Sequence, residues 1–244
     1  KATGDKILLW RITNSADPVP GSLQTFFGGY KQFGRQYKYS VSPKLATQQH
    51  DMAMYFDVSV HKYYKALQKA QDAGLIAKTP MQQLNGSEPL VAVWIGSSQA
   101  LEKRPYMPDI QSFLLSEYQN MLPRYIIMDD DIKLYRQEFY PLNYFIREAQ
   151  AVGADYIIIA EMDGHQPRNS QNWYINMNQS VFNANGGLIN VISISKLVSP
   201  VSGNMHAAVY AVKEGRTQLK QYLPFIKTRY NKTPQWISLG EIEN

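Results

Sequence analysis

The chain has 244 residues, of which 44% are hydrophobic and only 18% charged, with a formal charge of +5. That length and apolar content support one large folded domain or two small ones and exclude wholesale disorder. No stretch approaches the roughly 18 apolar residues of a membrane-spanning helix, and the absence of cysteine excludes disulfides, thiolate metal sites and a cysteine nucleophile.

Taken in chain order, Lys6–Trp10 reads as a first strand. Leu23–Val41 aligns with Ile110–Met128 across a one-residue gap, which makes it a helix, with Phe26, Phe27 and Tyr30 on one face, followed by a strand. Val60, Tyr63, Tyr64, Leu67 and Ala70 then recur at helical spacing, and Gly74–Lys78 reads as a third strand. Thr79–Pro89 is turn-rich and forms a candidate linker.

Leu90–Ile95, bounded by Pro89 and Gly96, has the length and flanks of a buried strand. Asp109 is placed to cap a helix carrying Ile110, Phe113, Leu114, Tyr118, Met121 and Leu122, which Pro123 ends. Arg124–Met128 is a second strand, leading into Asp129, Asp130 and Asp131. A further helix puts Leu142, Phe145, Ile146 and Ala149 on one face, with Gly153 as its C-terminal cap. Asp155–Ala160 is a third strand, Asp163–Ser170 is turn-rich, and Trp173–Phe182 and Leu188–Ser195 alternate around the hairpin signal Asn183–Gly187. The tail offers a strand at Ala207–Val212, a helix through Leu219, Tyr222, Leu223 and Ile226, and a closing strand at Trp236–Leu239.

The pattern is therefore α/β (α+β): a β-α-β-α-β unit plus hairpin, with mixed sheets covered by helices. The order reads twice, and both duplication and repeated use of a simple unit account for it. Three segments follow: an N-terminal α/β unit over residues 1–80, a second unit over 89–200, and a strand-helix-strand extension over 201–244 that packs on either unit.

The acidic residues offer the sharpest chemical alternative. Asp129 and Asp131 follow one strand, and Glu161 and Asp163 follow another. On parallel neighbouring strands they would gather at the sheet edge where α/β proteins bind ligands, as oxygen donors for Mg²⁺, Mn²⁺ or Ca²⁺. An acidic triplet after a strand also looks like the metal-nucleotide motif of GT-A glycosyltransferases; the competing reading is a charged strand exit. His50, His61, His165 and His206 form no zinc-enzyme spacing, and the glycines form no phosphate-binding loop or dinucleotide fingerprint. His165 beside Asp163 has acid/base potential, against the simpler reading of a solvated loop histidine. Lysines and arginines are scattered, so nucleic acid is permitted by charge and not favoured. No catalytic residue and no cofactor are assigned. Aromatic residues left exposed on the hairpin, with Trp173, Tyr174 and Phe182 as candidates, suit a protein–protein interface.

The second unit has a recognisable signature: strand Val91–Ile95, a helix, strand Arg124–Met128, the helix-to-strand junction Ala149–Ala160 with its Gly153-Ala154-Asp155-Tyr156 core, and a hairpin around Asn185-Gly186-Gly187. Over residues 89–195 this resembles the TolB N-terminal / CsgG / LpoB-type periplasmic α/β domain, also found in the flagellar protein FlgT. The resemblance implies a non-enzymatic domain of the Gram-negative envelope, located in the periplasm or at the outer membrane. It implies binding to other envelope proteins, self-association included, in secretion, flagellar or outer-membrane lipoprotein assemblies. A signal segment or lipid anchor ahead of Lys1 is compatible with that reading.

Overall fold

A computed structural model of the chain describes residues 10–15, 35–39, 52–107, 110–128, 142–198 and 203–227. Two short strands come first, β1 (Trp10–Asn14) and β2 (Arg35–Tyr39), paired in parallel as a sheet of their own. Gln36 Nε2 donates to the buried Thr13 Oγ1 at 2.7 Å. Helix α1 (Met52–Asp72) follows.

The main sheet contains β3 (Gln82–Gln83), β4 (Val91–Ser97), β5 (Tyr125–Ile127), β6 (Tyr156–His165), β7 (Trp173–Asn183) and β8 (Leu188–Val198). Their spatial order is β3-β5-β4-β6-β7-β8. The three central strands β5, β4 and β6 are parallel, as their helical crossovers require, while β3, β7 and β8 run antiparallel to their neighbours. Between β4 and β5 lie the short helix α2 (Gln99–Glu102) and α3 (Ile110–Met121); α4 (Leu142–Ala151) leads into β6, and α5 (Asn204–Tyr222) follows β8.

Strand alternation divides the core in two. Val91, Val93, Tyr125, Ile158, Ala160, Met177, Val181 and Ile192 face a large core closed by α3 and α5, with Phe56, Val60 and Tyr64 of α1 packed against it. Ala92, Trp94, Ile157, Ile159 and Phe182 face a smaller one closed by Phe145 and Ala149 of α4. Val91, Ala92, Val93 and Trp94 are all buried because helices cover both faces of β4, which explains their unbroken apolar run. At the junction before β6, the Asp155 carboxylate accepts the Leu90 N–H at 2.8 Å, fastening the start of β6 to that of β4.

Four expectations need correction. Ala207–Val212 is not a strand but lies inside α5, since Met205, Ala208, Ala211, Val212, Gly215 and Leu219 bury one helical stripe against the sheet. Residues 74–78 form a turn and irregular chain, with Ile76 in a single bridge, because a short apolar run without partners on both sides does not make a strand. Residues 79–89 are no free linker. Their Gln82–Gln83 pairs with β5, and Pro80 O accepts hydrogen bonds from Tyr125 Oη and Gln119 Nε2, both at 3.0 Å. Finally, β6 continues to His165 through the segment read as turn-rich, since Met162 and Gly164 keep facing the core. The helix expected in the first part of Leu23–Val41, Asp109 and Trp236–Leu239 lie outside the described residues.

Candidate protein-interaction site

The extension of β6 changes what its acidic residues do. Glu161 and Asp163 do not leave the strand at a sheet edge; they project from its middle, on the face opposite Ala160 and Met162. Register then lines up Glu161 with Asn178 and Ser193, Asp163 with Asn176 and Ser195, and His165 with Tyr174 and Leu197. The result is a polar grid across three strands. His165 is not a loose loop residue: its Nδ1 is hydrogen-bonded to the Asn176 amide at 2.7 Å, and its ring stacks on Tyr174 with centroids 5.6 Å apart. Among the described residues no group of three or more His, Asp and Glu is placed to hold a metal ion; Asp129 and Asp131 lie outside them.

The three hairpin aromatics part company. Neighbouring residues of a strand face opposite ways, so Trp173 and Tyr174 occupy different faces of the sheet. Trp173 is half-buried against Gly164, where a methyl group would overlap its ring. Tyr174 lies half-buried beside His165, and Phe182 is buried in the small core with Trp94 and Phe145. Phe182 thus serves packing and has no surface to present. The apolar exposure falls on β8 instead. Leu188, Val191 and Leu197 stand 59%, 49% and 43% exposed, in line with the polar Ser193 and Ser195 of the same face. Sequence alternation marks β8 as a strand, but not that one of its faces stays uncovered by the described helices.

A second cluster sits where the α2–α3 connection meets α1 and α5. Asp57 of α1 is 4% exposed, and its carboxylate accepts the backbone N–H groups of Asn204 (2.7 Å) and His206 (3.0 Å) at the start of α5. It therefore caps a helix 147 residues further along the chain. Gly203, at φ +33°, brings its backbone so close that a side chain there would overlap the carboxylate. Burial pushes the Asp57 carboxyl up to about 6, against the opposing effect of the backbone N–H groups and of His206. Tyr106 sits in left-handed backbone, φ +65°, with its ring 5.9 Å from that of His61. Its phenol is shifted up by burial and by the Asp57 charge. No local sequence signal announces this cluster, since its members come from three distant segments.

The connection itself is tightly built. Ser98 caps α2 through the Leu101 N–H, while Ser97 Oγ and Gln111 Nε2 both donate to Glu102 Oε1. Arg104 places its guanidinium 3.5 Å from the centroid of the Trp173 ring.

Solved structures similar to this chain include the PelC dodecamer from Paraburkholderia phytofirmans, at 12% identity and TM-score 0.37, covering 57% of this chain and 94% of that one. Lipoprotein GNA1162 from Neisseria meningitidis matches at 12% identity and TM-score 0.31, over 55% of this chain and 99% of that one. The LpoB C-terminal domain from Salmonella enterica matches at 12% identity and TM-score 0.25, over 47% and 87% respectively. No family model and no curated protein matches the chain.

Proposed function

We propose that this protein is a non-enzymatic structural or assembly component of the Gram-negative periplasm, associated with the outer membrane, that works by binding other envelope proteins. The secretion, flagellar and outer-membrane lipoprotein machines of the family it resembles are the settings in which to look. In this reading the chain divides into an α/β unit over residues 1–80, a second over 89–200 and an extension over 201–244.

The observation that carries this reading is the face of β8, where Leu188, Val191 and Leu197 are exposed on the outermost strand of the described sheet. Apolar side chains grouped in this way, with polar residues between them, are the composition of a docking surface. The pattern resemblance of residues 89–195 supports the same reading. None of the described helices is long and apolar enough to cross a membrane.

Two measurements test it. A fusion to alkaline phosphatase, active only after export, reads the compartment. A photo-crosslinking residue at position 191 or 197 should give a discrete envelope adduct, absent when placed at Lys62 on the exposed side of α1. Leu197→Asp should abolish the adduct formed from position 191 while leaving the melting temperature unchanged. Equal crosslinking from positions 62 and 191 would overturn the assignment of the surface.

A further inference from the structure

We propose that Arg104, carried on the face of Trp173, is the docking point for a carboxylate-bearing segment of a protein partner. This rests on the protein-binding reading above and names the chemistry of the partner.

The argument begins below the guanidinium. Gly164 leaves β6 without a side chain at the point where the indole lies, and the Trp173 ring takes up the space a Cβ would need. Arg104 places its guanidinium carbon over the ring, 3.5 Å from the centroid. A guanidinium lying on an aromatic face keeps its in-plane N–H donors directed outward, because stacking engages the π faces and leaves the edges free. The backbone under Arg104 is fixed as well: its N–H donates to Leu101 O at 2.9 Å, and its carbonyl accepts the Met107 N–H at 3.1 Å. Asn204 Nδ2 reaches Pro105 O at 3.3 Å, tying this turn to α5.

Among the described residues no acid meets the edges of that guanidinium. Glu102, the acidic residue nearest in sequence, holds Ser97 and Gln111 through its Oε1. Among the described residues Arg104 makes no ion pair, and neither do the exposed Lys103 beside it or Arg168 in the loop that leads into Trp173. A planar donor set held in place ahead of binding, with further positive charge nearby, fits a carboxylate by two parallel hydrogen bonds. Arginine and tryptophan are also the residue types that most often anchor protein interfaces.

The test uses the whole chain labelled with ¹⁵N and two blocked peptides, one of alternating Asp and Glu, the other its Asn/Gln counterpart. The Trp173 indole N–H signal, assigned by its loss in Trp173→Phe, is followed during titration. The acidic peptide should shift it and the neutral peptide should not, and added salt should weaken the response. Arg104→Gln should remove the shift. Arg104→Lys, which keeps the charge but loses the fork, should weaken binding about tenfold, the scale of one charge-assisted hydrogen bond. Arg104 is half-buried at the surface, so the amide spectra of both variants should overlay that of the parent; if Gln disturbs the fold, the Lys variant gives the reading. Equal shifts with both peptides, or an undiminished shift in Arg104→Gln, would overturn the proposal. Loss of the crosslinked adduct in Leu197→Asp but not in Arg104→Gln would leave protein binding intact and remove Arg104 from it.

Discussion

The Asp57 cap makes a prediction whose sign is opposite to the usual one for carboxylates. Asp57 is raised from 3.8 to about 6 by burial, so the folded protein holds this proton more tightly than the unfolded chain does. Between those two values the native state carries more protons, and stability from this group must therefore fall as pH rises. Its contribution is complete below about pH 4 and lost by the time the pH has passed through 6. A displacement of about 2 units corresponds to about 3 kcal/mol at the extremes. Ionisable groups elsewhere in the chain add their own pH dependence to the total stability. The informative quantity is thus the difference in urea-unfolding free energy between the parent and Asp57→Asn, measured from pH 4.5 to 7.5. Asparagine keeps an oxygen for the cap and removes the ionisation. That difference should favour the parent increasingly as pH falls, by about 2 kcal/mol or more across the range. Asp57→Ala should show the same loss of slope and lose about 1–2 kcal/mol further, because two backbone N–H groups are left without their acceptor. A parent-minus-Asn difference that is flat with pH, or that grows towards pH 7.5, would refute the reasoning.

Tyr118 Oη donates to Gln179 Oε1 at 2.6 Å in the buried interface between α3 and β7, so Tyr118→Phe should destabilise by about 1–3 kcal/mol in chemical denaturation. Gly164→Ala should lower stability by about 1–3 kcal/mol and change Trp fluorescence, since the new methyl displaces the Trp173 ring. Phe145 fixes α4 through an edge-on contact with Trp94, centroids 5.1 Å apart; Phe145→Ala should therefore cost about 3–5 kcal/mol by thermal unfolding. Calorimetric titration with Mg²⁺, Mn²⁺ and Ca²⁺ should show no stoichiometric binding. Micromolar binding that disappears in Asp129→Ala would favour the metal-enzyme reading built on Asp129, Asp131, Glu161 and Asp163.

What could be read in advance follows from which forces act locally. The apolar runs of β4, β5 and β6 and the alternating hairpin of β7 and β8 are legible because burial on one or both faces is written directly into residue order. Ala207–Val212 misleads for the same reason: a short apolar run satisfies strand and helix patterns alike. Only the extension of its stripe to Gly215 and Leu219 decides for a helix. Glu161, Asp163 and His165 look like a loop because polar residues alternating along a strand resemble a turn in composition. The candidate site was less legible still. Trp173 is visible as an aromatic, but its partnership with Arg104 and Gly164 depends on strand register and on a connection 69 residues away, measured from position 104 to 173. Asp57 is a carboxylate among many until α5 is brought against α1.

The sheet also joins pairings of very different range. Between β7 and β8 the Asn183 side chain accepts the Gly187 N–H only four residues on, so this hairpin closes a short loop. Joining β4 to β6 brings together residues such as Leu90 and Asp155, 65 apart, across β5 and the three helices α2, α3 and α4. Closing the longer loop has the higher entropic cost, and contacts of long range set the pace of folding. The hairpin is thus the natural early structure, and β6 docks on β4 later. A kinetic asymmetry follows. Weakening the turn at Gly186 should slow refolding with little change in the unfolding rate, whereas disrupting the Asp155–Leu90 tie should chiefly hasten unfolding.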